Sequence, residues 1–116
     1  MKTRLFKCPC CHLPTLGERG GYEICGVCWW EDDGQDDPDA AQPLGGPNGH
    51  YSLKEARQNY RHHGHMYAEG EGILAVEKPS KARRDLMAFL AVQGDQEIDL
   101  EAFNQLLEDV VRRTNR

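Results

Sequence analysis

Two Cys-x-x-Cys pairs, Cys8-Pro-Cys-Cys11 and Cys25-Gly-Val-Cys28, constrain this chain more than anything else in it. Two residues between cysteines let one tight turn aim both sulfurs at a single ion, and thirteen residues separate the pairs. Zinc takes four ligands as a tetrahedron, with thiolates at about 2.3 Å. The spacing falls just short of the usual double-pair template. The natural reading is a structural Zn2+ ion held by Cys8, Cys11, Cys25 and Cys28 in a four-cysteine ribbon. Four thiolates close the shell, whereas a catalytic zinc keeps a position open for water. The metal is therefore expected to fold the chain, and no catalytic residue is assigned.

Other uses of the cysteines fit less well. Met1–Lys7 leads straight to Cys8 without the apolar core of a signal peptide. That sets an expectation of a cytoplasmic, reducing setting, and five cysteines cannot all pair within one chain. A redox-active pair normally opens a helix in a thioredoxin-like βαβ pattern, which neither pair shows. Cys10 is the spare; it reads as a small packed residue, with a redox-sensitive thiol or an alternative ligand as the sharper readings. His12 is the nearest residue able to replace a thiol.

The rest of the chain explains why a metal would be needed. Hydrophobic residues make up 39% of the 116, and Gly and Pro are frequent, so a core built from side chains alone is thin. No apolar run approaches the roughly 20 residues that span a bilayer. The net charge of −5 is unevenly placed. Between Gly20 and Leu53 there is no Lys or Arg, but there are seven acids: Glu23, Glu31, Asp32, Asp33, Asp36, Asp37 and Asp39. Nucleic-acid affinity comes mainly from cations that neutralise phosphates. An acidic ribbon repels them, so a partner protein with a basic surface is the better expectation, met by Trp30, Glu31, Asp32, Asp33, Asp36, Asp37 and Asp39.

Taken in order, Lys2–Lys7 reads as a strand and Leu13–Leu16 leaves the first knuckle. Gly17–Gly21 is a turn, and Tyr22–Ile24 returns as a second strand, giving a β-hairpin with two knuckles. Trp29 and Trp30 are expected to cover the zinc site, one of them facing outward, because neighbours on an extended chain face opposite ways. The acidic run 31–39 lacks EF-hand spacing and reads as a solvated loop or a partner-binding patch. Pro43–Gly49 is turn chemistry.

Ser52-Leu-Lys-Glu55 is a capping box that opens a helix. Leu53, Ala56 and Tyr60 form its apolar stripe, and Gly64 is its stop. His62, His63 and His65 are a weak second metal signal. The run 72–76 reads as a short buried strand or a packed connection. Ser80 caps a second helix with Ala82, Leu86, Phe89 and Leu90 on one side, ended by Gly94-Asp95. Asp99 caps a third, striped by Leu100, Phe103, Leu106, Leu107, Val110 and Val111. The fold class is thus α+β: a small ribbon, an acidic loop and about three helices. The expected division is a ribbon module over 1–63 and a helical extension over 64–116 packed on it.

Cys-Pro-Cys-Cys at 8–11, the run from Gly20-Gly-Tyr-Glu-Ile-Cys through Trp30-Glu-Asp-Asp-Gly-Gln-Asp-Asp-Pro-Asp-Ala40, Gly45-Gly-Pro-Asn-Gly49 and Ser52-Leu-Lys-Glu-Ala-Arg57 together resemble the bacterial CPCC family of cysteine-rich proteins. The resemblance covers roughly residues 8–63. It implies a small zinc ribbon in which Cys8, Cys11, Cys25 and Cys28 are the working cysteines and the acidic loop belongs to the module. It specifies no reaction, and it leaves 64–116 outside.

Three functions from different classes follow. The favoured one is a non-catalytic, zinc-stabilised protein-binding module, in its sharpest form an immunity or antitoxin-like protein that occludes a bacterial toxin. A zinc-ribbon accessory protein of transcription or translation would look similar. A small hydrolytic or redox enzyme would need His50, Asp33 and Asp36 to gather beside the ribbon. Nucleic-acid binding would use Arg57, Arg61, Arg83, Arg84, Arg112 and Arg113, which read more simply as solvated helix faces.

Overall fold

In the computed structural model, which describes residues 6–93 and 98–114, each Cys-x-x-Cys pair forms the turn of its own short hairpin. Strand β1 (Phe6–Lys7) pairs antiparallel with β2 (Pro14–Leu16) around the first knuckle. Phe6 faces Leu16 and Lys7 faces Pro14, so the register slips at Thr15. Around the second knuckle Ile24 and Glu31 form an antiparallel bridge. Tyr22 N–H donates to the Asp32 carbonyl at 2.9 Å and Asp32 N–H to that of Glu23 at 3.0 Å.

This pairing corrects the expected hairpin, in which 13–16 and 22–24 were partners across Gly17–Gly21. Strands of two or three residues are too short for side-chain alternation to set their partner. The backbone of the knuckles sets it instead.

The two knuckles repeat one hydrogen-bond pattern. Cys8 N–H reaches the Leu13 carbonyl and Cys25 N–H that of Trp30, both at 2.9 Å. Four residues after each leading cysteine, His12 N–H donates back to Cys8 at 2.8 Å and Trp29 N–H to Cys25 at 3.0 Å. His12 (φ 64°) and Trp29 (φ 72°) are both left-handed, a conformation that costs non-glycine residues of order 1–3 kcal/mol. A left-handed residue thus closes both turns at the same place. That conformation also puts Trp29 off an extended path, so the expected split between an inward and an outward tryptophan fails. Trp30 is wholly buried and Trp29 nearly so.

Helix α1 (Leu53–His63) begins and ends as its residues demand. Ser52 Oγ accepts from Glu55 N–H at 3.1 Å, and the Glu55 carboxylate accepts from Ser52 N–H at 3.3 Å. Gly64, at φ 80°, takes the left-handed stop. Leu53 and Ala56 are fully buried, with Leu16, Val27, Trp30 and Met66 among the other buried apolar residues of this part of the chain. After the helix, Met66 N–H donates to the Cys28 carbonyl at 2.9 Å and Asn59 Nδ2 to the Met66 carbonyl at 2.8 Å, which ties 64–66 to the second knuckle.

The chain divides into two units, Met1–Gly72 and Ile73–Arg116. The second begins with a single helical turn, α2 (Leu74–Glu77), where a buried strand or packed connection was expected. Its apolar run has no alternation to define a face, and Pro79 follows closely to end it. Leu74 is 71% exposed, so the segment is not a core strand.

Helices α3 (Lys81–Gln93) and α4 (Leu100–Thr114) pack on each other. Ser80 Oγ caps α3 through Arg83 N–H at 3.2 Å, and Asp99 caps α4 through Ala102 N–H at 3.2 Å. Ala82 and Leu86 of α3 and Phe103, Leu107 and Val110 of α4 are buried as the stripes required, whereas Leu100 is 55% exposed. Gly94-Asp95, the expected end of α3, lies outside the described residues.

Candidate metal centre

The Sγ atoms of Cys8, Cys11, Cys25 and Cys28 lie within 4.8 Å of one another, and among the described residues this is the one group of three or more His, Cys, Asp or Glu side chains placed to hold an ion. Across the knuckles, Cys8 and Cys28 are 3.6 Å apart and Cys11 and Cys25 are 3.7 Å apart. A tetrahedron of sulfurs about 2.3 Å from a zinc ion has edges near ~3.8 Å. A disulfide would need about 2.05 Å, and all five cysteines are free thiols. The four residues fit a tetrahedral thiolate site.

The surrounding groups also suit anionic sulfur. Cys10 N–H points at Cys8 Sγ at 3.4 Å, and Val27 and Cys28 N–H point at Cys25 Sγ at 3.3 and 3.5 Å. Thr15 Oγ1 donates to Cys25 Sγ at 3.1 Å. Burial pushes the Cys25 thiol up, but the donors from Cys11, Cys28, Cys8 and Thr15 outweigh it and hold Cys25 well below the usual thiol range. Burial, joined by the neighbouring thiols, pushes Cys11 and Cys28 well above it. Cys8 is also raised: the Cys11 hydrogen bond opposes the rise, and Cys25, Cys28 and burial overcome it.

These surroundings thus favour the neutral thiol at Cys8, Cys11 and Cys28 and the thiolate at Cys25. Metal binding must displace those protons, so affinity should fall as pH falls. We expect net release of protons when the ion binds, because the ligands bind as thiolates. Calorimetric titration in buffers of different ionisation enthalpy measures this release. Metal binding without net proton release would contradict it.

The other candidate ligands stay out of the cluster. Cys10 is buried at 2% exposure and contributes its amide rather than a ligand sulfur, in keeping with a small packed residue. His12 is exposed. His63 and His65 stack with ring centroids 5.7 Å apart, and His65 Nδ1 accepts from Tyr67 N–H at 3.2 Å. That bond occupies one ring nitrogen. His50 pairs with Glu71 at 3.3 Å, whereas Asp33 Oδ1 accepts from Gln35 N–H at 3.0 Å and Asp36 binds Arg19. These three do not share a site.

The acidic stretch is only partly a surface. Trp30 and Asp32 are both 0% exposed, so neither can meet a partner, contrary to expectation. The Asp32 carboxylate is consumed internally, accepting from Arg19 Nε at 3.0 Å, Gly20 N–H at 2.6 Å and Gly34 N–H at 3.2 Å. Asp36 receives Arg19 Nη1 at 2.9 Å and caps the 3-10 turn Asp37–Asp39. The Arg19 guanidinium, then the Asp37 amide, hold its carboxyl below the usual carboxylate range. Asp37 receives Arg57 Nη2 at 2.7 Å.

Glu31, Asp33 and Asp39 remain. Among the described residues no Lys or Arg comes within ion-pair distance of them. Buried Asn48 bonds the Glu31 backbone and, at 3.3 Å, Asp33 Oδ2.

Arg19, Thr15 and Asn48 are residues that sequence reasoning passed over, and Arg57 is one that it misplaced. Arg57 in particular is no solvated helix face, since its side chain is 15% exposed and Nε donates to the Pro9 carbonyl at 2.8 Å. Arg83 is also buried, at 5% exposure. The signal was there in the charges: a long run without cations, bounded by Arg19 and Lys54-Glu-Ala-Arg57, must borrow its counter-charges from its ends.

A family model described as cysteine-rich CPCC matches residues 6–82. The match passes the limit of the resemblance drawn from sequence and takes in α2 and the start of α3. No curated protein and no solved structure matches the chain.

Proposed function

The chain belongs to the cysteine-rich CPCC family, and from that premise we propose that it is a non-catalytic, zinc-stabilised protein-binding module, acting as a bacterial immunity or antitoxin-like protein in the cytoplasm. The observation that carries the reading is the four-sulfur cluster with edges of 3.6 and 3.7 Å. Four thiolates leave a bound zinc ion no position for substrate, so its chemistry is that of a cross-link. Zinc rather than a harder cation suits an all-sulfur donor set.

The charge distribution supports the partner. Arg19 and Arg57 bring two positive charges to the three carboxylates of Asp32, Asp36 and Asp37. Among the described residues no Lys or Arg pairs with Glu31, Asp33 or Asp39, so this region keeps a negative field. Such a field accelerates capture of a basic, nuclease-type surface.

The test is association with the toxin-like product of a neighbouring reading frame, followed by stopped-flow at rising salt. The reading expects one-to-one binding whose association rate falls steeply with ionic strength. The triple reversal Glu31→Lys, Asp33→Lys, Asp39→Lys should slow association at least about tenfold while the protein keeps its zinc. Binding indifferent to both salt and charge reversal would contradict it.

A further inference from the structure

Arg57 touches the metal knuckle and the acidic loop with one side chain. Its Nε donates to the carbonyl of Pro9, which lies inside the first Cys-x-x-Cys turn, at 2.8 Å. Its Nη2 donates to Asp37 Oδ1 at 2.7 Å and lies 3.8 Å from Asp36 Oδ1. Arg19 holds the other side of the same loop through Asp32, Asp36 and the Gln35 carbonyl. The loop also meets the start of α1, where Lys54 N–H donates to the Ala40 carbonyl at 2.8 Å. A guanidinium is a rigid planar fork, so fixing one of its donors constrains the others. The Pro9 carbonyl can hold Nε only while the first knuckle keeps its turn, and that turn is shaped by Cys8 and Cys11.

We propose that Arg57 is the coupling element through which the metal centre holds the acidic loop in shape. With the knuckle wrapped on its ion, Pro9 seats the guanidinium, and the guanidinium seats Asp37 and the 3-10 turn that follows. With the knuckle slack, Arg57 loses its anchor, the turn opens, and the carboxylates of the loop disperse. The inference rests on the metal-binding reading above and adds its regulation: the acidic surface exists in its binding shape only when the cluster is filled. Coupling is reciprocal, so the loop must also help retain the ion.

The experiment compares zinc-loaded full-length protein with its Arg57→Gln variant by two readouts. The first is amide hydrogen exchange at Asp39, Ala40 and Gln42, whose N–H groups close the turn onto Asp36, Asp37 and Asp39. The second is the rate of zinc transfer to a chromophoric chelator. Arg57→Gln is expected to bind zinc with unchanged stoichiometry, to exchange those amides about tenfold faster or more, and to surrender zinc faster by a comparable factor, as loss of charge-assisted bonds requires.

Unchanged exchange overturns the proposal. So does faster exchange with unchanged zinc transfer, which would make Arg57 a local clamp. Where Arg57→Gln does not fold, Asp37→Asn, which touches only the loop side, decides in the same way: faster exchange with faster zinc transfer supports coupling, and either change missing overturns it. Neither readout involves a partner protein. Failure of coupling in a protein that still captures a basic partner leaves the binding-module reading standing, and coupling without a partner does the reverse.

Discussion

Replacing Cys25 with serine should unfold the cysteine-bearing unit at neutral pH. Three donors, Thr15 Oγ1 and the Val27 and Cys28 amides, converge on its sulfur. The variant loses both a candidate metal ligand and the atom on which those donors converge. Structural zinc contributes apparent free energies of roughly 10–16 kcal/mol in small modules. That equals or exceeds the net stability of a typical domain, about 5–15 kcal/mol. The chain's only tryptophans, Trp29 and Trp30, are both buried beside the cluster, so tryptophan emission reports the event directly. Cys25→Ser should shift that emission to the red and lose bound metal. Emission unchanged from the parent protein would show that the cluster is dispensable to the fold.

The second large effect is expected at Trp30. Its side chain is fully buried, while its carbonyl accepts from Cys25 N–H at 2.9 Å. Truncation leaves the backbone bond in place and removes the bulk over the second knuckle. Trp30→Ala should cost about 3–5 kcal/mol, the range for large aromatic truncations in a core. For a domain of this size that is roughly 10 °C or more in Tm. The matched control is Ile24→Ala, in the same hairpin but 47% exposed, where the change should stay within about 0.5 kcal/mol. Thermal melts of metal-loaded protein distinguish the two. Equal shifts would mean that Trp30 lies at a surface rather than in a core.

The contrast between these two residues also shows where sequence reasoning reached and where it stopped. The cysteine spacing identified all four cluster residues, because two-residue turns leave few other geometries. The capping box placed α1 to the residue, since Ser52, Glu55 and Gly64 act through local bonds. The stripes of α3 and α4 located the buried faces by periodicity alone. Strand pairing was not legible, because strands this short carry no alternation and the knuckle hydrogen bonds that choose partners leave no composition signal.

The acidic loop misled for a different reason. A run of carboxylates reads as solvent-facing when its counter-ions are distant in sequence, and Arg57 lies 20 residues from Asp37. Asp32 was placed outside on that logic and Trp30 on strand alternation, and both are inside. Ile73 and Leu74 erred the other way, as apolar residues that a single helical turn leaves exposed.

X-ray absorption at the zinc edge of the purified protein tests the account at its centre. The account predicts bound zinc with a first shell of four sulfurs at about 2.3 Å and no nitrogen or oxygen neighbour. A shell containing histidine nitrogen or solvent oxygen, or a folded protein with no metal and bridged sulfurs, would contradict it.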